Sequence, residues 1–215
     1  MTNINGKSSF PILIILIFPL TVFALKYFLI SNDAFIEEAL NKIENKMLEK
    51  GEDVSDLLDM TKSILENPGY KITISLKESF LVFRNFILLN LLSYLALLLI
   101  VEIKVNPKEY LEIISKPVLL LIIGWIFNTG LKLFLVDFNA CSCVRYFLSY
   151  QLNEIELVVF RNSELFTLGY LIWLSLSLSK SYKETIFLTA FMVFGNYLLL
   201  TFSSVMIGFM FVLVY

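Results

Sequence analysis

The stretch that decides the fold runs from Arg161 to Phe191 and reads "RNSELFTLGYLIWLSLSLSKSYKETIFLTAF". It contains two apolar runs that are separated by only five residues, Lys180 to Glu184. A polar tetrad, Arg161 to Glu164, leads straight into the first run. Long apolar runs divided by short polar turns are typical of helices that cross a lipid bilayer. The stretch therefore predicts an integral membrane protein.

The first of these runs is short for a membrane span. Leu165 to Leu178 is 14 residues, or about 21 Å of helix, whereas the hydrocarbon core is about 30 Å thick. Asn162 or Ser163 can cap this helix, and Glu164 in its first turn suits the positive end of the helix dipole. Small hydroxyl side chains in the run favour close helix packing in lipid; they are Ser175, Ser177 and Ser179.

Composition agrees with a membrane location. Of 215 residues, 58% are hydrophobic and 17% are charged, against roughly 45–50% and 25% in soluble domains. The net charge of −2 offers no basic surface for nucleic acid. Because the chain has no histidine, it lacks the commonest metal ligand and proton shuttle. We expect no cofactor and no metal.

Four further spans bring the prediction to about five transmembrane helices in an all-α integral membrane protein. Phe10 to Ile30 is long enough to cross a bilayer, and without an A-x-A-like cleavage site we interpret it as an uncleaved anchor rather than a signal peptide. The others are Phe80–Val101, Pro117 to about Val136, and Thr185–Tyr215, in which we expect a bend near Gly195–Asn196 or Ser203–Ser204. A short helix between Glu102 and Pro117 is predicted to lie in the membrane interface.

Residues 32–76 differ sharply from the spans. Ten of the nineteen acidic residues lie between Asp33 and Glu66. Asp33 and Asp53 can each cap a helix, with stops at Gly51 and at "NPG", Asn67 to Gly69. This predicts an amphipathic helical hairpin whose apolar stripes need a cover, supplied by the bilayer surface, the bundle itself or a partner. The candidate partner contacts are Leu40, Ile43, Leu57 and Leu58.

Orientation follows from the basic residues of short loops, which stay in the cytoplasm. Glu102 to Lys116 carries three and Lys180 to Glu184 two, whereas Asp137 to Glu164 carries two in 28 residues. We therefore expect a cytoplasmic N-terminus, with the acidic hairpin, the cysteine loop and the C-terminus outside. Six lysines between Lys42 and Lys77 oppose this orientation, although acidic residues outnumber them.

Cys141 and Cys143 are the only cysteines. Two thiolates cannot complete a tetrahedral zinc site. In an oxidising compartment the pair could form a strained local disulfide or remain as thiols, and the simplest interpretation gives it no specific role.

Three asparagines lie roughly in the middle of different predicted spans: Asn90, Asn128 and Asn196. Polar groups are costly in lipid, so these residues either line a path for ions or solutes or hydrogen-bond one helix to another, which is the commoner role. No carboxylate lies at mid-span, which argues against a proton-coupled transporter. A lipid-modifying enzyme would need a polar interfacial site, built for example from Glu102, Asp137 or Glu164, but no catalytic motif supports one.

The quoted stretch resembles the Yip family of Ypt/Rab-interacting membrane proteins, in its bacterial Yip-like branch. The matching positions are Asn162, Phe166, Tyr170, Trp173, Lys180 and Lys183. The order of elements is similar too: an N-terminal span, an extracytoplasmic helical segment and four further spans. The resemblance implies a five-span helical fold in a bacterial inner membrane, without catalytic residues. The long cytoplasmic tail that eukaryotic members use for small GTPases is missing, so that activity is not implied.

These observations predict three regions: an N-terminal anchor span at 1–31, an extracytoplasmic acidic hairpin at 32–76 and a four-span Yip-like bundle at 77–215. The expected function is non-enzymatic, as a scaffold or accessory subunit in membrane organisation, trafficking or complex assembly. Its partners would be the bilayer and a membrane protein or a second copy of the chain. The alternative is a small permease or channel subunit whose path is lined by Asn90, Asn128 and Asn196.

Overall fold

A computed structural model describes residues 10–48, 55–135 and 164–214. Within these ranges, the side chains at 39, 42–43, 45–48, 55–56 and 204–214 are not described. The regular structure of the described residues is seven α-helices: α1 (Phe10–Ile30), α2 (Asp33–Leu48), α3 (Ser55–Glu66), α4 (Pro68–Leu99), α5 (Pro107–Leu135), α6 (Leu165–Tyr182) and α7 (Ile186–Val214).

Four of these helices are long and apolar enough to cross a membrane. They are α1, α4, α5 and the first part of α7, Ile186–Ser203. The prediction of an all-α, multi-pass membrane protein is thus confirmed for the described part of the chain. α6 has 18 residues but is not among the four, so the fifth span stays a prediction.

Helix α2 begins at a different cap from the predicted one. The side-chain Oδ1 of Asn32 accepts a 3.1 Å hydrogen bond from the backbone N–H of Ala34. Asn32 is therefore the cap, while Asp33 lies in the first turn, where its charge suits the helix dipole. The second predicted cap, Asp53, and the predicted stop at Gly51 lie outside the described residues.

The "NPG" tripeptide ends one helix and starts the next. Helix α3 ends at Glu66, as predicted, and the Oδ1 of Asn67 then accepts a 2.8 Å hydrogen bond from the N–H of Gly69. Pro68 takes the first helical position, where its missing N–H does no harm. As a result α4 is 32 residues long, begins well before the predicted Phe80, and passes without interruption through residues 76 and 77.

The predicted short interfacial helix between Glu102 and Pro117 is wrong as a separate element. Helix α5 begins at Pro107 and continues through Pro117 to Leu135. Proline removes one backbone hydrogen bond from a helix interior, and in membrane proteins neighbouring helices compensate for this loss. Pro117 is fully buried here, beside the fully buried Val118, so packing holds the helix together across the proline.

The last two helices also differ from the sequence prediction in their bounds. Helix α6 extends beyond Leu178 to Tyr182, so the turn is shorter than the predicted Lys180 to Glu184. Helix α7 is continuous from Ile186 to Val214, and neither Gly195–Asn196 nor Ser203–Ser204 interrupts it. Glu164, predicted in the first turn of α6, is its N-cap residue, and Asn162 and Ser163 lie outside the described residues.

The described chain divides into two compact units. Unit 1 contains residues 10–18, 83–124 and 164–214, and unit 2 contains residues 19–48, 55–82 and 125–135. In unit 1, α6 packs along α7; in unit 2, α2 packs along α3. Unit 2 is also held by Ser79 of α4, whose hydroxyl donates a 2.7 Å hydrogen bond to the carbonyl of Pro19 in α1.

Candidate functional site

Asn90 of α4, which is 4% exposed, is the centre of a hydrogen-bonded cluster in unit 1. Its Oδ1 accepts a 2.9 Å hydrogen bond from the hydroxyl of Tyr170 in α6. Its backbone carbonyl accepts a 2.8 Å hydrogen bond from the hydroxyl of Tyr110 in α5. Its side-chain N–H donates to the carbonyl of Phe86, one turn earlier, at 2.8 Å. One asparagine thus joins three helices, and we call Asn90, Tyr110 and Tyr170 the tyrosine–asparagine junction.

Aromatic rings surround this junction. Phe86 lies 6.2 Å from the ring of Tyr170 and contacts Phe18 of α1 edge-on at 5.6 Å. Tyr110 meets Tyr94 in the same geometry at 5.2 Å. Such contacts stabilise by roughly 0.5–1.5 kcal/mol each beyond the area they bury. The junction is therefore a buried packing centre rather than an open polar site.

The other two predicted asparagines lie in different units. Asn196 of α7 lies in unit 1, where its side-chain N–H donates a long, 3.4 Å hydrogen bond to the hydroxyl of Ser93 in α4. Asn128 of α5 is buried, 7% exposed, and belongs to unit 2. Within unit 1, the two asparagines each bond to a neighbouring helix.

Hydroxyl groups fix the turn between α6 and α7. The hydroxyl of Ser179 donates to the carbonyl of Glu184 at 2.6 Å, and the hydroxyl of Thr189 donates to the carbonyl of Ser175 at 3.0 Å. Lys183 adopts the left-handed conformation, with φ 59°, and its N–H bonds to the carbonyl of Ser179. Of the serines predicted to pack, Ser175 and Ser179 are buried.

Helices α5 and α6 approach each other closely at Gly124. A Cβ atom placed on Gly124 would lie 2.6 Å from the Cβ of Phe166, well inside van der Waals contact. A Cβ on Gly169 would meet only the side chain of Leu120, at 3.4 Å. Gly124 is thus the point at which the absence of a side chain permits the approach of the two helices.

Two tyrosines and one carboxylate lie near the end of α6. The hydroxyl of Tyr182 is buried and makes no hydrogen bond within the described residues. Glu109 of α5 and Tyr94 of α4 lie near this hydroxyl. Tyr94 donates a long, 3.4 Å hydrogen bond to the carbonyl of Val105.

The predicted partner contacts fall into two groups. Leu57 of α3 is 41% exposed, whereas Leu58 and Leu40 are half-buried, and the side chain of Ile43 lies outside the described residues. Exposed apolar residues continue along α3 from Leu57 at spacings of three and four: Met60 is 64% exposed and Ile64 41%. This row, Leu57, Met60 and Ile64, is called the α3 stripe below.

The positions that carry the family resemblance have different environments. Phe166 packs against Gly124, Tyr170 is fully buried in the junction, and Lys183 forms the turn. Trp173 is 38% exposed and Lys180 is exposed. Asn162, Cys141, Cys143 and Asp137 lie outside the described residues.

Comparison of the chain with protein-family models, with curated proteins and with solved structures finds no match. The resemblance to the Yip family therefore stays a prediction from the sequence.

One feature of unit 1 escaped prediction from sequence. It is the pair of tyrosines that donate hydrogen bonds to Asn90: neither Tyr110 nor Tyr170 stands out in its own helix, and the bonds join residues 20 and 80 positions apart. Arg84 and Asn85 of α4, which the sequence places near the start of a predicted span, are exposed.

Proposed function

We propose that this protein is a non-enzymatic, polytopic membrane protein of Yip-like type, which acts as a scaffold or accessory subunit in membrane organisation, trafficking or complex assembly. The observation that carries the proposal is the tyrosine–asparagine junction. Its buried polar groups are bonded to one another and to backbone carbonyls, so they hold helices together and leave the outer faces for contacts. The proposed location is a bacterial inner membrane with the N-terminus in the cytoplasm.

Transport is the weaker proposal. A path lined by Asn90, Asn128 and Asn196 requires side chains that are free to exchange partners with a passing ion or solute. The Oδ1 and the side-chain N–H of Asn90 both form hydrogen bonds inside the protein. The side-chain N–H of Asn196 donates a hydrogen bond to the hydroxyl of Ser93. Opening such a path would break bonds that join three helices, which is unfavourable in lipid.

The α3 stripe is the surface that best fits a protein partner. Its three apolar side chains are exposed in unit 2, although α3 already packs along α2. Asp59 and Lys62 are also exposed but lie on the other side of α3, because successive residues of a helix are about 100° apart. Leu57 belongs to this surface, whereas Leu58 and Leu40 face partly inward.

The test is co-purification of the full chain from its native membrane after cross-linking, with the captured proteins identified and quantified by mass spectrometry. The variant Leu57→Lys/Met60→Lys places two charges on the α3 stripe. The matched control, Asp59→Lys, makes a similar change of charge on the same helix without removing an apolar contact.

We expect a stoichiometric partner, or a second copy of the chain, that is lost in the double variant and retained in the control. Loss in both variants would indicate an effect of charge alone and would remove the α3 stripe from the proposal. A protein that purifies alone in all three forms would overturn the scaffold function.

A further inference from the structure

Helices α4 and α5 run antiparallel in unit 1, and two tyrosines fix how they lie beside each other. The hydroxyl of Tyr94 in α4 donates a 3.4 Å hydrogen bond to the carbonyl of Val105, just before α5. Four residues earlier in α4, the carbonyl of Asn90 accepts a 2.8 Å hydrogen bond from the hydroxyl of Tyr110. The partner residue moves forward along the chain as the α4 residue moves back. The start of α5 therefore lies beside the second half of α4.

The second half of α4 has an exposed apolar face. Residues 86–99 contain no charged side chain and belong to a candidate membrane span, Pro68–Leu99. Exposed apolar side chains recur there at spacings of three and four, which places them on one side of the helix. They are called the leucine face below: Ile87 (45%), Leu88 (37%), Leu91 (48%), Leu95 (38%) and Leu99 (75%). A contiguous apolar surface of this kind suits lipid chains better than water.

The start of α5 has an exposed charged face instead. Its members are Lys108, Glu109, Glu112 and Lys116, all of them exposed. Tyr110, which bonds to α4, is only 4% exposed. Lys108 and Glu112 are each two residues from Tyr110, and successive residues of a helix are about 100° apart. The charged face therefore lies on the side of α5 opposite to α4.

The leucine face and the charged face lie at the same height along the paired helices. Leu88 is two residues before Asn90, and Glu112 is two residues after Tyr110. Because both helices rise about 1.5 Å per residue, Leu88 and Glu112 lie within about one turn of each other in height. Charged side chains are costly in hydrocarbon, and exposed leucines are costly in water. One medium therefore cannot suit both faces at this height.

We propose that unit 1 contacts two media at this height: lipid along the leucine face of α4, and water along the charged face of α5. The charged face is then one wall of a water-filled recess in the bilayer, open to water and small ions. The recess lies outside the tyrosine–asparagine junction and uses none of its side chains. This inference goes beyond the proposed scaffold function and concerns unit 1, whereas the α3 stripe belongs to unit 2.

The test measures the medium at each face with nitroxide spin labels on the full-length protein in phosphatidylcholine vesicles. Leu88→Cys and Leu91→Cys label the leucine face, and Lys108→Cys and Glu112→Cys label the charged face, each in a background in which the two native cysteines are replaced by serine. Electron paramagnetic resonance gives the collision rate of each label with oxygen, which concentrates in lipid, and with a nickel chelate, which stays in water. Freezing and thawing places the chelate on both sides, so the orientation of the protein in the vesicle does not matter.

The ratio of nickel to oxygen collisions should be at least about tenfold higher for the two charged-face variants than for the two leucine-face variants, because a polar solute hardly enters hydrocarbon. All four positions are exposed, so the labels leave the core of unit 1 intact. Circular dichroism checks that each variant folds. Ile87→Cys and Glu109→Cys replace a variant that does not.

Three results would overturn the proposal. Nickel-dominated collisions on both faces would place both in water, and oxygen-dominated collisions on both would place both in lipid. Slow collisions with both reagents on the charged face would show that protein, such as a second copy of the chain, covers it instead of water. None of these results would affect the co-purification result at the α3 stripe.

Discussion

The hydroxyl of Tyr170 donates a 2.9 Å hydrogen bond to the Oδ1 of Asn90, 80 residues earlier in the chain. Both residues are almost fully buried, at 1% and 4% exposure. The bond ties α6 to α4 in the interior of unit 1, where water cannot replace a lost partner. The junction should therefore contribute to stability more than a similar bond at the surface.

The first prediction concerns this bond. Tyr170→Phe should lower the free energy of unfolding by about 1 kcal/mol, because it leaves the Oδ1 of Asn90 without its donor while keeping the ring. The measurement is unfolding in mixed micelles with increasing SDS, followed by circular dichroism. Trp173→Phe, at a 38% exposed position of the same helix, should change the value less. Equal effects of the two substitutions would contradict a special role for the hydroxyl.

The second prediction concerns the approach of α5 to α6. Gly124→Ala would place a Cβ 2.6 Å from the Cβ of Phe166 and should lower the free energy of unfolding by about 1–3 kcal/mol through overpacking. Gly130→Ala in the same helix meets nothing within 4 Å, and because alanine favours helix, it should be neutral or stabilising by up to about 1 kcal/mol. The same unfolding assay compares them.

A second substitution identifies the clash as the cause. Adding Phe166→Gly, which removes the Cβ that Gly124→Ala meets, should cost stability in the unsubstituted chain, but less in the Gly124→Ala background. The two changes are coupled if they act through one contact. Strict additivity would show that Gly124→Ala acts on the helix backbone alone.

The sequence predicts the positions of the long apolar helices well, but it predicts poorly where each helix begins, ends or continues. The long apolar runs predict α1, α4, α5 and α7, because a single apolar segment in lipid satisfies its backbone hydrogen bonds by forming a helix. The role of Asn67 as the cap of α4 escapes prediction, since "NPG" is equally typical of a stop. The unbroken course of α5 through Pro117 depends on packing around a buried proline, which no local pattern contains.

The candidate site is less predictable for the same reason. Sequence singles out Asn90 because a buried amide in a span is costly, but its partners come from α5 and α6 and are ordinary tyrosines in their own helices. The contact between Phe18 and Phe86 also joins two different helices, α1 and α4. The contacts between two helices depend on their tertiary packing, which the sequence of neither helix specifies alone.

The third prediction concerns the turn between α6 and α7. Lys183 has φ 59°, a conformation that costs an ordinary L-residue roughly 1–2 kcal/mol but glycine little. Lys183→Gly should therefore raise the free energy of unfolding by about 1 kcal/mol, whereas Lys180→Gly, inside α6, should lower it by about the same amount. Effects of the same sign would show that loss of the lysine charge, and not the backbone conformation, decides the result.

The fourth prediction concerns how the chain crosses the membrane. Single cysteines at exposed Met60, Lys108 and Ser181, in a background with Cys141→Ser and Cys143→Ser, are labelled in intact bacterial cells with an impermeant maleimide. Met60→Cys should react at once because α3 is expected outside. Lys108→Cys and Ser181→Cys should react only after permeabilisation, because α5 and α6 lead the chain out and back.

The pair at 108 and 181 tests the fifth span directly. Helix α5 is long and apolar enough to cross on its own, and in the five-span prediction α6 crosses back, which puts the two positions on one side. The 18 residues of α6 give about 27 Å of helix, close to the ~30 Å of a hydrocarbon core. Labelling of Ser181→Cys in intact cells, with Lys108→Cys protected, would leave four spans and exclude the five-span architecture.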